Sequence, residues 1–225
     1  MQIPLDLGSR AALGREDFLV GPCNEAAVSW IDRWPMWPGP LLVIHGPASC
    51  GKTHLAAVWR DKTGAQSVNP QTLTVQSAQD IAQSAQHAVL DGLDLWLGDR
   101  QTETALFHLY NIFKEEGRTI LVTMRMAPQS ADYAVADLAS RLRAAPSASI
   151  AEPDDVLLAS VLVKLFHDRQ IAVGEDVIRY ILPRMERSFA AAHAIVETAD
   201  RMALSLKKPV GVGLLRQVLA QMQSS

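Results

Sequence analysis

Cysteine is scarce in this 225-residue chain, which contains only Cys23 and Cys50 and has no CxxC pair or Cys/His cluster. Two cysteines are too few for a disulfide framework, and without clustered ligands the sequence predicts no structural metal site. This usage is typical of proteins in a reducing compartment, and we therefore expect a cytoplasmic location.

Long apolar runs and a surplus of one charge sign are also missing. No stretch of about eighteen apolar residues occurs, so no membrane span is expected, and the first residues do not resemble a signal peptide. The net charge of −3 gives no electrostatic reason to expect a nucleic-acid surface, so we predict no direct sequence-specific DNA binding. The content of 48% hydrophobic and 20% charged residues is that of a globular protein with a sizeable core.

One motif dominates what is present. The pattern G-x-x-x-x-G-K-T occupies residues 46–53, between an apolar β-branched stretch and a helical pattern, which is the context of a phosphate-binding loop. Gly46 and Gly51 permit backbone angles that turn N–H groups toward phosphate oxygens. Lys52 would contact the β and γ phosphates, and the Thr53 hydroxyl would bind Mg²⁺. The predicted nucleotide-binding residues here are Gly46, Pro47, Ala48, Ser49, Cys50, Gly51, Lys52, Thr53 and His54.

Strands alternate with helices in the first two thirds of the chain, and only helices follow. The pattern predicts strands at 41–45, 65–68, 87–91, 119–123 and 147–151, and helices at 25–34, 53–61, 78–84, 102–116 and 135–144. Asn24 is expected to cap the first of these helices. Further helices are predicted at 154–169, 175–184, 188–206 and 212–222. The prediction is an α/β fold with a parallel five-stranded sheet, and a small all-helical lid domain at the C-terminal end.

Four segments resemble the DnaA-related AAA+ family. Phe-Leu-Val-Gly-Pro-Cys-Asn at 18–24 looks like the segment that lines the adenine pocket, and residues 45–55 match the phosphate-binding loop with its His-Leu tail. Residues 105–117 resemble the helix of that family that carries the pattern F-x-x-Y-N. Asp-Leu-Ala-Ser-Arg-Leu at 137–142 resembles the box that carries an arginine finger. The resemblance implies an AAA+ core that holds ADP or ATP, with Mg²⁺ where present. The adenine-pocket residues that it implies are Phe18, Val20 and Asn24.

The first residues, Gln-Ile-Pro-Leu-Asp-Leu at 2–7, allow two interpretations. By pattern alone they are either a surface strap or a docking peptide, with Gln2 as polar anchor and three apolar side chains for pockets, Ile3, Leu5 and Leu7. They are similar to the Q-L-x-L-x-L peptide with which replication proteins dock on the β sliding clamp of DNA polymerase III. A docking peptide at 1–10, an AAA+ core at 11–152 and a lid at 153–225 together resemble the Hda group of regulatory inactivators of DnaA.

The resemblance assigns roles to several polar residues. Asp91 matches the Walker B acid, but the next position, where a vigorous ATPase carries a second acid, is Gly92, and Asp94 is displaced along the chain. We therefore expect weak or no intrinsic ATPase activity. Thr123 falls at the sensor-1 position, although a β-branched residue in a strand is equally well explained by packing.

Two arginines complete the predicted site. Arg141 matches the arginine finger, which acts in trans on a neighbouring subunit's nucleotide, with Arg143 as the alternative one residue out of register. The sensor-2 position holds Ala190, and the nearest substitute is Arg187, expected about one turn earlier on the same helix. Gly92 at the second-acid position and Ala190 at the sensor-2 position both favour a bound nucleotide that supports the structure rather than one that is hydrolysed.

The expected function is therefore negative regulation of replication initiation, in which a clamp-docked protein stimulates ATP hydrolysis by DnaA. One alternative is a self-assembling, DNA-dependent AAA+ ATPase of the helicase-loader type, which the missing second acid and the lack of a basic surface disfavour. A non-enzymatic adaptor that acts through residues 1–7 is another. The sequence leaves open whether the chain forms a homodimer, and whether Trp34 and Trp37 are packed or exposed for a partner.

Overall fold

The computed structural model describes residues 19–223. The predicted clamp-docking residues Gln2, Ile3, Leu5 and Leu7, and the adenine-segment residue Phe18, lie outside this range. The chain forms two compact units, the first ending at Ala151 and the second beginning at Glu152, and each is described by itself.

The first unit is built on a five-stranded parallel sheet with the strand order β2-β3-β4-β1-β5. The strands are β1 (Leu41–His45), β2 (Gln66–Ser67), β3 (His87–Leu90), β4 (Thr119–Met124) and β5 (Ser147–Ser149). In the central strands, successive side chains enter cores on opposite faces of the sheet: Val43 lies in one core, whereas Leu42 and Ile44 lie in the other. A sheet that is buried on both faces explains the continuous apolar runs of β1 and β4.

Helices cover both faces of this sheet. They are α1 (Glu25–Asp32), α2 (Lys52–Thr63), α3 (Val75–Ser84), α4 (Arg100–Glu115) and α5 (Ala136–Ala144). Residues of α1 and α2 form one core with Leu42, and residues of α3, α4 and α5 form the other with Val43. Helix α3 begins three residues before the predicted start at 78, because Thr74 and Ser77 form a reciprocal capping box.

The second unit contains the helices α6 (Asp155–Asp168), α7 (Glu175–Ile181), α8 (Phe189–Leu206) and α9 (Val212–Gln223). Each of them buries an apolar stripe, exemplified by Leu162, Ile181, Ile195 and Leu215. Within residues 19–223, no helix is long and apolar enough to cross a membrane. The predicted α/β class, with a parallel five-stranded sheet followed by a helical C-terminal unit, is confirmed.

Candidate nucleotide-binding site

The site lies where parallel strands end at a common edge of the sheet. Strands β3, β4 and β1 are neighbours in that order and run in the same direction, so their carboxyl ends meet. The sequence places the Gly46 loop after β1, Asp91 after β3, and Thr123 near the end of β4. Ligands of open α/β sheets bind outside this edge.

The loop between β1 and α2 requires glycine at both of its ends. Gly46 has φ +153°, and a Cβ added there would lie 2.0 Å from the carbonyl oxygen of Ile150, so no side chain fits. Gly51, at φ +101°, directly precedes α2. Ser49 between them also has a positive φ, of +58°. Such a turn gathers backbone N–H groups at a helix N-terminus and forms an anion-binding concavity.

The other residues of this loop differ in how far they are exposed to solvent. Pro47, Ala48, Thr53 and His54 are exposed, whereas the Cys50 side chain is buried. Burial lowers the pKa of His45, at the end of β1, below its ordinary value, and the positive charge of Lys52 lowers it further.

Lys52 is held by the loop that it completes. Its Nζ donates to the carbonyl oxygens of Gly46, at 2.8 Å, and Pro47, at 2.6 Å. The third contact, with Cys50 Sγ at 3.7 Å, is to a weak acceptor that a phosphate oxygen would outcompete. The ammonium group is therefore fixed inside the loop and fits a bound phosphate.

Three predicted residues meet around Asp91. The Thr53 hydroxyl donates to Asp91 Oδ2 at 2.8 Å, and the Thr123 hydroxyl donates to Oδ1 at 2.5 Å. Thr123, which is almost fully buried, also accepts a hydrogen bond from the backbone N–H of Gly92 at 2.9 Å. Its hydroxyl thus has polar partners at the strand end, which packing of a β-branched residue alone would not require.

Thr53 and Asp91 supply the hard oxygen ligands that suit magnesium. Mg²⁺ usually takes one or two protein ligands and completes its shell with phosphate oxygens and water. Within residues 19–223, no group of three or more His, Cys, Asp or Glu side chains is arranged to hold a metal ion. A magnesium ion at this edge would therefore depend on a bound nucleotide for its other ligands.

The position after Asp91 carries no acid. Gly92 adopts φ +71° and ψ 40°, in the left-handed region, and starts a short 3₁₀ turn at Leu93–Trp96. Asp94, in that turn, directs its carboxylate elsewhere: Oδ1 accepts a hydrogen bond from the Arg125 backbone N–H at 2.9 Å. The edge can thus hold a nucleotide, but neither position supplies a carboxylate to orient an attacking water.

The segment predicted to line the adenine pocket is folded by Asn24. The Asn24 side chain accepts from the N–H of Gly21 at 2.9 Å and donates to the Leu19 carbonyl at 3.0 Å. Asn24 is the N-cap residue of α1, as predicted, but its side chain makes no capping hydrogen bond because its oxygen is bonded to Gly21 instead. Val20 is partly buried against the core formed with α1 and α2.

Arg141 and Arg143 both lie on α5 and are both exposed, but they differ in their contacts. Arg143 donates to the Ala131 carbonyl at 3.2 Å, and its guanidinium lies 5.2 Å from the Tyr133 ring centroid. Arg141 is exposed, and its guanidinium makes no hydrogen bond or ion pair with another residue of the described range 19–223. Only Arg141, of these two, has a guanidinium that does not already support its own chain.

Arg187 lies in the second unit and is not on α8, contrary to the expectation from the sequence. Ser188 caps this helix by accepting from the Ala191 N–H at 3.1 Å, so α8 begins at Phe189 and Arg187 precedes it. The Arg187 guanidinium pairs with Asp155 at 2.9 Å, with both side chains more than half exposed. Ala190 is exposed in the first turn of α8.

Solved structures with a similar fold include replication initiation proteins and a Holliday junction branch migration motor. Domain III of the replication initiation protein DnaA from Thermotoga maritima aligns with a TM-score of 0.80 at 18% identity, over 92% of this chain and 95% of that domain. AMPPCP-bound DnaA from Aquifex aeolicus aligns with a TM-score of 0.73 at 20% identity, over 97% of this chain and 71% of that one.

A third solved structure is similar to this chain at lower sequence identity than the two DnaA structures. The Holliday junction branch migration motor RuvB from Thermotoga maritima aligns with a TM-score of 0.67 at 13% identity, over 88% of this chain and 66% of that one. No protein-family model matches the sequence. The similarity extends over both units and over nearly the whole of DnaA domain III. The chain therefore has the AAA+ fold, which it shares with domain III of DnaA.

Proposed function

We propose that this chain is a nucleotide-bound, cytoplasmic regulator of replication initiation of the Hda type. In this proposal it docks on the β sliding clamp of DNA polymerase III and stimulates ATP hydrolysis by DnaA through Arg141. The fold similarity to DnaA domain III supports a partner of the same fold, because an arginine finger can be supplied in trans to the nucleotide of a neighbouring molecule.

The observation that carries the proposal is the exposed guanidinium of Arg141, which has no partner among residues 19–223. An arginine finger needs a cation that is free to reach a neighbouring molecule. Its planar fork of donors then stabilises the charge that develops on the phosphoryl oxygens during transfer, and such fingers accelerate hydrolysis by about 10³ to 10⁵. Arg143, which is bonded to its own chain, cannot take this role without releasing those contacts.

The chain's own nucleotide has a different role in this proposal. Gly46, Gly51 and Lys52 would hold the phosphates, Thr53 and Asp91 would hold Mg²⁺, and Val20 and Asn24 would lie beside the base. A bound nucleotide supplies negative charge that pairs with the Lys52 ammonium, and phosphate oxygens that accept hydrogen bonds from the loop N–H groups. Because Gly92 replaces the second acid, we assign this site weak or no intrinsic ATPase activity, with ADP as the favoured ligand.

Clamp docking rests on the sequence of residues 2–7, in which Gln2 would anchor the peptide and three apolar side chains would fill pockets, Ile3, Leu5 and Leu7. Removal of residues 1–7 should abolish binding to the purified clamp in a surface-binding assay, while nucleotide binding stays intact. Unchanged clamp affinity would contradict this assignment.

ATP turnover under three conditions tests the proposed function against the helicase-loader alternative. The purified chain would be assayed alone, with single-stranded DNA, and with DnaA plus clamp on DNA. The proposal predicts hydrolysis well above that of DnaA alone only in the third mixture. Turnover by the chain with single-stranded DNA and no DnaA would instead support the alternative.

A further inference from the structure

A buried carboxylate joins two separate segments of the first unit. Glu103, in the first turn of α4, is 0% exposed. Its Oε1 accepts hydrogen bonds from the backbone N–H groups of Gly98, at 2.7 Å, and Ala134, at 3.0 Å, and Oε2 accepts from Val135 at 2.7 Å. Both oxygens are therefore used, and every partner is a backbone group.

Packing alone does not explain why the Glu103 carboxylate is buried. A carboxylate buried without a positive partner is costly unless several hydrogen bonds compensate its charge. Three N–H donors do so here, and charge-assisted bonds of this kind are strong. The charge of Glu103 also acts on its neighbourhood: burial raises the pKa of Tyr133 to about 12, with Arg143 opposing the rise and Glu103 adding to it.

The three donors belong to two functional segments. Val135 is the N-cap of α5, whose side chain offers no capping oxygen, so Glu103 supplies from another helix the negative charge that a helix N-terminus favours. Gly98 follows the 3₁₀ turn that begins directly after Asp91 and Gly92. One carboxylate thus joins the loop after the Walker B position to the start of the helix that carries Arg141.

We infer that Glu103 is a positioning residue for Arg141: its carboxylate fixes the start of α5 and so the direction in which the guanidinium projects. The buried side chains Leu138 and Leu142 hold the inner face of α5 against the core, and Arg143 in its last turn is bonded to the Ala131 carbonyl. The hydrogen bonds from Ala134 and Val135 to Glu103 additionally hold the start of α5 against shifts along the helix axis. The part of this inference that concerns hydrolysis rests on the proposed function.

Glu103→Gln is the informative substitution because it keeps the shape of the side chain. Whichever way the amide is turned, its NH₂ group faces at least one backbone N–H that the carboxylate now accepts. The matched control is Asp99→Ala. Asp99 caps the same end of α4 by accepting from the Thr102 N–H at 2.9 Å and from its hydroxyl at 2.5 Å, but does not bond to α5.

Two measurements are made on both variants. Amide hydrogen exchange reports the start of α5, and Glu103→Gln should raise exchange at Val135 and through the first turn of α5 by about tenfold or more. Hydrolysis by clamp-associated DnaA, titrated with the variant, reports Arg141. Here the maximal rate should fall about 10-fold to 100-fold with the half-maximal concentration unchanged, because a misplaced finger loses interactions made only in the transition state. Asp99→Ala should show neither change.

The outcomes separate this inference from the proposed function. If Arg141→Ala abolishes stimulation while Glu103→Gln retains the full rate, the inference is overturned and the proposed function stands. If Arg141→Ala also retains the full rate, the proposed function has failed and exchange alone decides. Unchanged protection at Val135 then overturns the inference, and loosening confined to α5 supports it. If Glu103→Gln does not fold, Glu103→Asp serves instead, because its shorter side chain cannot reach all three N–H groups.

Discussion

The Lys52 ammonium is bonded to two carbonyls of its own loop, so it has two connected roles. It is a predicted phosphate ligand, and it also keeps the loop closed around the positions where phosphate oxygens would lie. A substitution there should therefore affect the bound nucleotide and the stability of the fold together, and the two effects can be measured in one experiment.

Lys52→Ala is expected to abolish stabilisation by ADP. For the unchanged chain, ADP at about 100 times its dissociation constant should add about 2.7 kcal/mol to the free energy of unfolding, measured as a rise in unfolding temperature. The variant should unfold at a lower temperature without ADP and show no rise with it. Lys62→Ala, on the exposed surface of α2, is the control and should respond to ADP normally. A full ADP response by Lys52→Ala would refute the loop's assignment as a phosphate site.

A substitution at Gly92 tests the backbone conformation of this position rather than a contact with a ligand. An added Cβ would meet only Leu95 Cδ1, at the ordinary distance of 3.6 Å, so the cost of Gly92→Ala comes from its positive φ. We predict a loss of about 1 kcal/mol in denaturant unfolding. Gly39→Ala, where a Cβ would have open space and φ is not in the left-handed region, should cost nothing. Equal stabilities of the two variants would contradict the assigned conformation.

Helices and strands were largely predictable because their signals are local. The apolar runs of β1 and β4 predicted buried strands, and Gly64 and Gly117, both at positive φ, lie just beyond the ends of α2 and α4. The differences arise where a side chain had a choice of partners. The Asn24 side chain bonds to Gly21, which precedes it, rather than to the first turn of α1. Helix α3 begins earlier than predicted because Thr74 and Ser77 form a capping box, in which Ser77 takes the place of the usual Glu or Gln.

The opposite ends of β3 and β4, away from the nucleotide edge, carry a polar pair within an aromatic cluster. His87 Nδ1 lies 2.7 Å from the Thr119 hydroxyl, and the Trp34 ring packs edge-on against the imidazole at 5.1 Å. Trp34 also donates from Nε1 to Thr119 at 3.2 Å, and Trp37, 8% exposed, stacks on Trp59. Packing is therefore the better explanation of both Trp34 and Trp37.

The pH dependence of stability follows from this cluster. Burial lowers the pKa of His87 below its ordinary 6.5, and the charge of Arg118 lowers it further. The unfolded chain thus binds a proton more readily than the folded one, so stability is full above pH 6.5 and falls as the pH drops from 6.5 toward the folded pKa. Thermal unfolding between pH 8 and 5 should show this decline, and His87→Gln should make it shallower. A slope unchanged in that variant would exclude His87 as a source, leaving His45 and His193, whose pKa values are also lowered.

For the molecule as a whole, the sequence predicted the AAA+ architecture, but not how distant segments hold one another. The motif at residues 46–53 is contiguous, so its chemistry is readable from the chain. The carboxylate of Glu103 joins loops 5 and about 30 residues away, and nothing in a first-turn acid of a helix distinguishes it from a solvated one. Arg141 and Arg143 likewise became distinguishable only through the contacts of Arg143 with Ala131 and Tyr133.

The proposed function distinguishes two nucleotides, one bound by this chain and one bound by its partner, whereas the motif alone indicates only the first. The loop at 46–53 would hold a nucleotide that supports this chain, whereas Arg141 would act on the nucleotide of a partner. Substitutions in the two places should therefore give different results: loss of the loop removes ligand and stability, and loss of the finger leaves both intact.

The most direct test is single-turnover hydrolysis of ATP bound to DnaA, in the presence of clamp-loaded DNA and saturating amounts of this chain or of its Arg141→Ala variant. Ser140→Ala, on the same exposed surface of α5, is the control and should stimulate normally. We predict that Arg141→Ala folds, binds ADP and docks on the clamp like the unchanged chain, yet loses about 10³-fold or more in stimulated rate, down to the rate of DnaA alone. Stimulation by Arg141→Ala equal to that of the unchanged chain would contradict the proposal.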